Sequence, residues 1–312
     1  MDIESKELKR KRLTRKLHNR VVVMLSGKAG VGKDWIAGKL VDDILSYKDG
    51  YSEDLLYTRD ALHTTDLLAY SKVKTYAYAD YLIKELQDLL DKFDTYDMQY
   101  LDDDVIDGKY VAHADNYRMT RETIAKAYKL CAEYNLPFKV IDKLFWLSRL
   151  QGIDLSKRHA DPNYRKLLQW YGTDVRRKQN KDYWVGKLVE DVLYSNDNGL
   201  NGKIIPIDII TDVRFENEYS IIREIFPDTL FYNLTDLPEN INKREQKRDT
   251  KAMNDEEKHH ISETGLPDNT HFDRVFDRSK MSDDDIVYEM DSDIEHLAKF
   301  TYSGTYIDLK RM

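Results

Sequence analysis

The chain has 312 residues, of which 41% are hydrophobic, and a formal net charge of −8 at pH 7. This length suffices for one large domain or two small ones, and the acidic balance argues against a general nucleic-acid-binding protein. No apolar run approaches the roughly 20 residues that span a bilayer, so we expect no membrane partner. A single cysteine, Cys131, excludes an internal disulfide, and a cytoplasmic protein is the simplest interpretation.

The first twenty residues are basic and predict a separate amino-terminal arm. They lack the apolar core of a secretory signal. The simplest interpretation is a solvated helix that leads into the first strand, and the alternative is an arm that binds a polyanion. The basic residues of this arm are Lys6, Lys9, Arg10, Lys11, Arg12, Arg15, Lys16 and Arg20.

A glycine-rich segment, residues 27–34, follows an apolar run at residues 21–25. The run is typical of a buried parallel strand, and apolar residues at helical spacing predict a helix over residues 34–45. Gly27, Gly32 and Lys33 match the pattern G-x-x-x-x-G-K, in which glycines let backbone N–H groups surround a phosphate. A strand, a glycine loop and a helix in this order predict a nucleotide phosphate site.

Asp34 stands where this pattern usually has serine or threonine, whose hydroxyl ligates Mg²⁺. A carboxylate also holds Mg²⁺, either directly or through water. We therefore interpret Asp34 as a metal ligand in the same role.

The rest of the chain alternates predicted strands and helices, which indicates a parallel sheet flanked by helices. Polar or charged segments at residues 46–72, 95–115 and 235–260 are expected to be insertions or loops, and the last has the length of a lid. The predicted strands are residues 74–78, 204–210, 229–234 and 275–276. The predicted helices are residues 79–93, 121–134, 137–150, 161–177, 182–194, 212–226 and 283–300.

Asp212 and Arg214 lie at the carboxyl end of the predicted strand over residues 204–210. Open α/β sheets bind ligands at the carboxyl ends of their strands. An aspartate there can orient Mg²⁺-bound water, and an arginine can bind phosphate through two parallel hydrogen bonds. The alternative is that Asp212 caps the following helix and Arg214 is an ordinary surface residue.

Two further clusters have residue types suited to a nucleotide. In the segment from Arg165 to Arg177, Gln169 can read a base edge and the arginines can hold a monophosphate, although an amphipathic helix explains most of the pattern. In the lid-like stretch, Arg244 and Arg248 are candidates for closing over a transferred phosphate.

Four motifs, in this order, resemble the phage-type deoxynucleoside monophosphate kinase family. The resemblance implies an α/β fold of the P-loop NTPase class, a three-layer sandwich with a parallel sheet flanked by helices, helical insertions and a lid. The motifs are the G-K-D loop at Gly27–Asp34, the helix Leu168–Asp174 with Arg177 and Trp184-Val185, the segment Asp212–Glu218, and His260-x-Ser262-Glu263-x-x-Leu266.

The resemblance implies transfer of the γ-phosphoryl group of ATP to a deoxynucleoside monophosphate, giving the diphosphate and ADP for DNA synthesis. It implies that Lys33 contacts the β- and γ-phosphates and that Asp34 and Asp212 hold Mg²⁺. It also implies that Gln169 faces the acceptor base and that Arg177 and Arg214 bind acceptor or transferred phosphate. Arg165 and Thr173 are further acceptor candidates, and the loop residues around the donor phosphates are Gly27, Lys28, Ala29, Gly30, Val31, Gly32, Lys33, Asp34 and Trp35.

The same resemblance implies a kinase domain over residues 21–300, with a helical substrate-binding insertion at about 95–195 and a lid at about 235–260. The basic arm (1–20) precedes this domain and a tail (301–312) follows it. This kinase group is often dimeric, so a homodimer is compatible with the sequence, and a phage-type enzyme would act in the host cytoplasm.

Two alternative functions stay open at this point. Phosphomevalonate kinase shares the G-K-D loop and an aromatic residue at the position of Trp35. A non-catalytic nucleotide-binding module is favoured by Trp35 and by the basic arm, and acceptor-dependent ADP formation would distinguish it from a kinase.

Overall fold

The computed structural model describes residues 20–49, 72–93, 98–100, 117–150, 162–194, 206–247, 266–267 and 269–310. The strands are β1 (Val21–Ser26), β2 (Lys72–Tyr76), β3 (Met98–Tyr100), β4 (Tyr117–Met119), β5 (Pro206–Ile210), β6 (Thr229–Thr235) and β7 (Arg274–Asp277). The helices are α1 (Lys33–Asp49), α2 (Tyr78–Phe93), α3 (Arg121–Tyr134), α4 (Phe138–Leu150), α5 (Pro162–Gln169), α6 (Tyr183–Tyr194), α7 (Glu216–Ile225), α8 (Pro238–Lys247) and α9 (Asp283–Lys310), together with a π-helix over Trp170–Arg177.

Five strands of the described residues form one all-parallel sheet in the order β2-β5-β1-β6-β7. Strand β1 is buried along its whole length because it is apolar on both faces, as is typical of a central parallel strand. The chain adds β2 and β5 on one side of β1, and β6 and β7 on the other. Such a reversal of strand order opens a crevice at the carboxyl ends of the strands, where ligands bind in open α/β sheets.

Helices cover both faces of this sheet, which gives the three-layer α/β arrangement. On one face, Val23 of β1 belongs to a core that includes Ile36 of α1 and Met290 of α9. On the other face, Tyr219 of α7 stacks on Phe231 of β6, with ring centroids 5.1 Å apart. The alternation of side chains along each strand separates the two cores. The predicted parallel sheet flanked by helices is therefore confirmed.

Most predicted elements are present, but some boundaries differ. The predicted helix over residues 212–226 begins only at Glu216, because the buried Glu218 side chain accepts the backbone N–H groups of Arg214 and Phe215 at 2.8 and 3.1 Å. These two hydrogen bonds cap the helix at its N-terminus, so the helix begins after the strand-end residues Asp212 and Arg214. Helix α9 continues to Lys310, so most of the predicted tail is helical. The lid-like stretch begins with helix α8, and its residues 248–260 lie outside the described residues.

The chain divides into two compact units. The first contains residues 1–81, 179–248 and 252–312 and includes the five-stranded sheet. The second contains residues 82–178 and 249–251. Its main segment begins and ends earlier in the chain than the helical insertion expected at about 95–195. In the second unit β3 pairs with β4 in antiparallel orientation, and Phe93 packs edge-on against Phe145 with centroids 6.0 Å apart.

The predicted helix over residues 161–177 changes character after Gln169. It continues as a π-helix from Trp170 to Arg177, a form that is rare and is often found at functional sites. Gly172 lies where a Cβ atom would approach Leu82 Cδ2 to 2.9 Å, so close packing favours glycine there. Arg176 in the same π-helix is buried, with only 1% of its side chain exposed.

Arg20, assigned from the sequence to the basic arm, is buried and forms an ion pair with Asp208 in the middle of β5. It is therefore part of the core of the first unit and not of a solvated or polyanion-binding arm. Residues 1–19 lie outside the described residues. Among the helices that the structure describes, none combines the length and apolar character required to cross a membrane.

Candidate functional site

The carboxyl edge of the parallel sheet brings the predicted strand-end residues to the glycine loop, defined here as Gly27–Lys33. The loop follows β1, and Val213, after β5, donates its N–H to Leu25 O at 3.1 Å. Ser26 Oγ in turn donates to Val213 O at 2.9 Å. The end of β5 lies beside the loop because β5 is a direct neighbour of β1 in the sheet.

The backbone of the glycine loop requires its glycines. Gly27, Gly30 and Gly32 have φ values of 138°, 76° and 94°, which other residues rarely adopt. At Gly27 a Cβ atom would also lie 2.5 Å from the carbonyl oxygen of Leu234, on the neighbouring strand β6. The spacing of glycines in the sequence thus reflects real conformational and packing constraints.

Cationic side chains hold the carbonyl groups of the loop. Lys33 Nζ donates to Gly27 O at 2.7 Å and to Lys28 O at 3.2 Å. Arg244 Nε donates to Gly30 O at 3.1 Å, and Arg278 Nη1 donates to Val31 O. In a planar trans peptide the following N–H points away from the carbonyl, so the N–H group of Gly32 is directed away from Arg278. The N–H of Val31, which follows the carbonyl held by Arg244, donates to Lys28 O at 3.3 Å.

Loop amides next to a helix N-terminus form a site suited to an anion. Helix α1 begins at Lys33, at the end of the loop. The Lys33 side chain is 8% exposed, so its charge acts in a largely buried setting. The arrangement can hold a phosphate group through backbone amides and one buried ammonium group.

Asp34 and Trp35 follow the loop in the first turn of α1 and are both exposed. Trp35 is 59% exposed, yet its indole Nε1 donates to Asp283 Oδ2 at 2.8 Å. Asp34 therefore presents its carboxylate to solvent beside the loop, while the indole of Trp35 is fixed to the first residue of α9.

Asp212 is 9% exposed and caps helix α2. Its Oδ1 accepts the N–H of Tyr78 at 2.8 Å, and its Oδ2 accepts the N–H of Ala79 at 3.1 Å. The alternative expectation, that Asp212 caps the helix following it in sequence, is wrong, because it caps a helix more than 130 residues earlier, with a separation of 134 residues to Tyr78.

The charge environment of Asp212 connects it to Lys33 and Arg214. Burial raises the pKa of the Asp212 carboxyl group, and the positive charges of Arg214 and Lys33 oppose that rise together with the two N–H bonds. A carboxylate that interacts with these two cations lies at the centre of the strand-end cluster. Of the predicted residues, Lys33, Asp212 and Arg214 are thus brought into one electrostatic environment.

Arg244, predicted as a lid residue, is already bound to the glycine loop. Besides its bond to Gly30 O, its Nη2 lies 2.5 Å from Asp236 Oδ2. Asp236 also accepts the N–H of Leu237 at 2.7 Å and the side-chain amide of Asn240 at 2.8 Å, and so begins helix α8. Arg248, the second predicted lid residue, lies outside the described residues, as do His260, Ser262 and Glu263.

The predicted acceptor residues Arg165, Gln169, Thr173 and Arg177 all belong to the second unit, on α5 and the π-helix. Their side chains are half-buried. Gln169 Nε2 is buried and has no hydrogen-bond partner among the described residues. A buried amide donor without a partner is energetically costly, and a ligand acceptor atom would satisfy it.

Sequence reasoning missed Arg278, Asp283 and Asp236 at the loop, and Arg176 in the second unit. Arg278 follows a strand of only four residues, and neither its spacing nor its neighbours match a motif. Arg176 adjoins the predicted Arg177, but the sequence does not show which of the two is buried. Arg278, Asp283 and Arg176 each contact a segment that is distant in sequence, whereas Asp236 is connected to the loop through Arg244, eight residues later.

Among the described residues, no group of three or more His, Cys, Asp or Glu side chains is placed to hold a metal ion. This does not disfavour magnesium, since Mg²⁺ is usually bound by one or two carboxylates together with substrate phosphates and water. An exposed Asp34 beside the glycine loop is a donor of that kind.

Compared with models of known protein families and with curated protein sequences, the chain has no significant match in either.

Proposed function

We propose that the protein is an ATP-dependent kinase that phosphorylates a deoxynucleoside monophosphate. The observation that carries the proposal is the glycine loop at the N-terminus of α1, whose carbonyl groups are held by Lys33, Arg244 and Arg278 and whose Gly32 amide is directed away from Arg278. Its position after β1, at the reversal of strand order, is where nucleotides bind in open α/β sheets. The four motifs in family order supply the substrate class.

In this proposal the loop amides bind the donor β- and γ-phosphates, and Lys33 exchanges its bonds to Gly27 O and Lys28 O for bonds to phosphate oxygens. Arg214 neutralises charge on the transferred or acceptor phosphate, and Asp34 holds Mg²⁺, which supplies charge neutralisation when bound. Asp212 orients the start of α2 and balances the charges of Lys33 and Arg214. Phosphoryl transfer requires mainly alignment and charge neutralisation, so no general base is assigned.

The acceptor site in this proposal is formed by Arg165, Gln169, Thr173 and Arg177. The buried Nε2 of Gln169 supports it, because an acceptor atom on a base edge would satisfy this donor. The arginines supply the charge for a monophosphate.

The experiment that tests the proposal is ADP formation from ATP and Mg²⁺ with a panel of acceptors. The panel contains dAMP, dGMP, dCMP, dTMP, the ribonucleotides and mevalonate 5-phosphate. Turnover with one or more deoxynucleotides supports the proposal. Turnover with mevalonate 5-phosphate alone would contradict it and support a phosphomevalonate kinase-like activity instead. ATP binding without any turnover would instead support a non-catalytic module.

Replacement of Asp34 by alanine tests the metal role. We expect the Mg²⁺ concentration for half-maximal activity to rise by about 10-fold or more, with a parallel loss of turnover, because a carboxylate ligand is removed. The measurement is an Mg²⁺ titration of the initial rate at saturating ATP. Asp42→Ala is the matched control, since Asp42 is an exposed aspartate on the same helix. An unchanged Mg²⁺ response in Asp34→Ala would contradict the assignment.

A further inference from the structure

Arg278 connects three segments of the first unit that are distant in sequence. Its side chain is 8% exposed, and Nε and Nη2 lie 3.0 and 2.6 Å from Asp283 Oδ1. Its remaining nitrogen, Nη1, donates to Val31 O in the glycine loop. The carboxylate of Asp283 thus fixes two nitrogens of the planar guanidinium group, and the third is directed at the loop backbone.

Asp283 and Gly32 restrict the position of Arg278 further. The second carboxylate oxygen of Asp283 accepts the indole N–H of Trp35 at 2.8 Å, which ties the acid to the first turn of α1. A Cβ atom at Gly32 would lie 2.0 Å from Arg278 Nη1. The loop and the arginine therefore fit closely, and the glycine leaves the space that the guanidinium group occupies.

Arg244 repeats this arrangement at the adjacent peptide group. Its Nη2 lies 2.5 Å from Asp236 Oδ2, and its Nε donates to Gly30 O at 3.1 Å. Two neighbouring carbonyl groups, of Gly30 and Val31, are thus each held by an arginine that a carboxylate orients. Rotation of either peptide group would break a charge-assisted hydrogen bond.

We propose that Arg278 and Arg244 are positioning residues for the donor triphosphate. Arg278 holds Val31 O, so that the Gly32 amide that follows stays directed at the anion. Arg244 holds Gly30 O, in the peptide group whose Val31 N–H closes the loop onto Lys28 O at 3.3 Å. Neither arginine needs to touch the nucleotide. The identity of the anion as a nucleoside triphosphate rests on the proposed function, whereas the positioning of the loop does not. Preorganised donors lower the reorganisation needed on binding.

Alanine at either position is expected to weaken triphosphate binding by about 10- to 100-fold, since small misplacements of binding groups have effects of that order. The KM for the acceptor is expected to stay unchanged. A role in stability alone would lower the active fraction and the apparent kcat, but it would leave the Kd and KM for ATP unchanged. The affinity of Arg278→Lys for the triphosphate is expected to lie between those of the original chain and Arg278→Ala, because one ammonium group cannot bridge Asp283 and Val31 O as the guanidinium group does.

The test is isothermal titration calorimetry of the full chain and its variants with Mg²⁺–ATP and with inorganic tripolyphosphate. Arg274→Ala is the matched control: Arg274 begins the short strand that precedes Arg278, but it pairs with Glu289 and Asp293 at 2.5 and 2.8 Å. Weaker binding of both ligands by Arg278→Ala and Arg244→Ala, with Arg274→Ala like the original chain, supports the proposal. Circular dichroism verifies that each variant folds. If Arg278→Ala does not fold, Arg278→Lys and Asp283→Asn replace it in the same titrations.

Wild-type affinity in folded Arg278 and Arg244 variants would overturn the positioning role and leave the proposed kinase function intact. Binding of tripolyphosphate and ATP by the original chain without turnover in the acceptor panel would overturn the kinase function alone. If the original chain bound neither ligand, the glycine loop would not be an anion site and both proposals would be overturned.

Discussion

Replacement of Lys33 by alanine is expected to reduce ADP formation by about 10³-fold or more, while the protein stays folded. Lys33 is the buried ammonium group beside the loop amides, and it interacts with the charge of Asp212. Removal of one preorganised charge from a phosphoryl-transfer site has an effect of this order. The measurement is kcat/KM for ATP at saturating acceptor, with far-ultraviolet circular dichroism to verify the fold.

Lys39→Ala is the matched control for this variant. Lys39 lies on the same helix, and its Nζ pairs with Asp284 Oδ1 at 2.6 Å outside the loop. The Lys39→Ala substitution removes one positive charge from α1, as Lys33→Ala does, but at a side chain that pairs outside the loop. Near-normal activity is therefore expected. Near-normal activity of Lys33→Ala itself would contradict the assignment of the glycine loop.

Replacement of Glu85 by alanine is expected to destabilise the second unit by about 3–5 kcal/mol, because it removes the carboxylate that pairs with the buried Arg176. Glu85 Oε1 lies 2.5 Å from Arg176 Nη2 and accepts the Tyr171 hydroxyl at 2.7 Å. Arg176 Nη1 also donates to Tyr134 O at 2.6 Å, so the network joins α2, α3 and the π-helix. Hydrogen–deuterium exchange over residues 82–178 measures the local free energy of opening.

Lys178→Ala serves as the control, since Lys178 forms an exposed ion pair with Asp174 at 2.8 Å in the same region. Exposed pairs contribute about 0–1 kcal/mol. Glu85→Gln is expected to destabilise the second unit less than Glu85→Ala does, because the amide oxygen still accepts hydrogen bonds. Equal protection of the second unit in Glu85→Ala and Lys178→Ala would show that the buried pair is not needed for its stability.

The Glu85–Arg176 network also bears on the proposed acceptor site. Arg176 is adjacent to Arg177, and the π-helix begins directly after Gln169. Loss of the buried pair would release the turn that carries the acceptor residues. A Glu85 variant should therefore raise the KM for the acceptor more than the KM for ATP.

Several features of the fold were predictable because they depend on local patterns. The apolar run of β1, the glycines that follow it and the helical spacing of α1 lie within about thirty residues, and each reflects a preference of the local backbone. The alternation of strands and helices then predicts a parallel sheet, since parallel strands need crossover connections. The same reasoning failed after β5, where the buried Glu218 delays the start of α7 until Glu216.

The site was predictable only in part. Asp212 and Arg214 could be identified because they follow a strand that the sequence shows. Arg278 could not, because its contact with Val31 O spans 247 positions and no pattern near Arg278 indicates it. The π-helix was also missed, since its apolar spacing in sequence resembles that of an α-helix.

The sequence by itself determined the strand, the glycine loop and the helix that follows, since glycine conformations and hydrophobic periodicity act between near neighbours. Only the tertiary structure decided which polar side chains meet that loop. The order of the parallel strands brings the ends of β5, β6 and β7 to the same edge as the end of β1. Through that order Arg244 and Arg278 contact the loop, and Asp212 interacts with Lys33 at its end. The order results from long-range strand pairing and is not a property of any local segment.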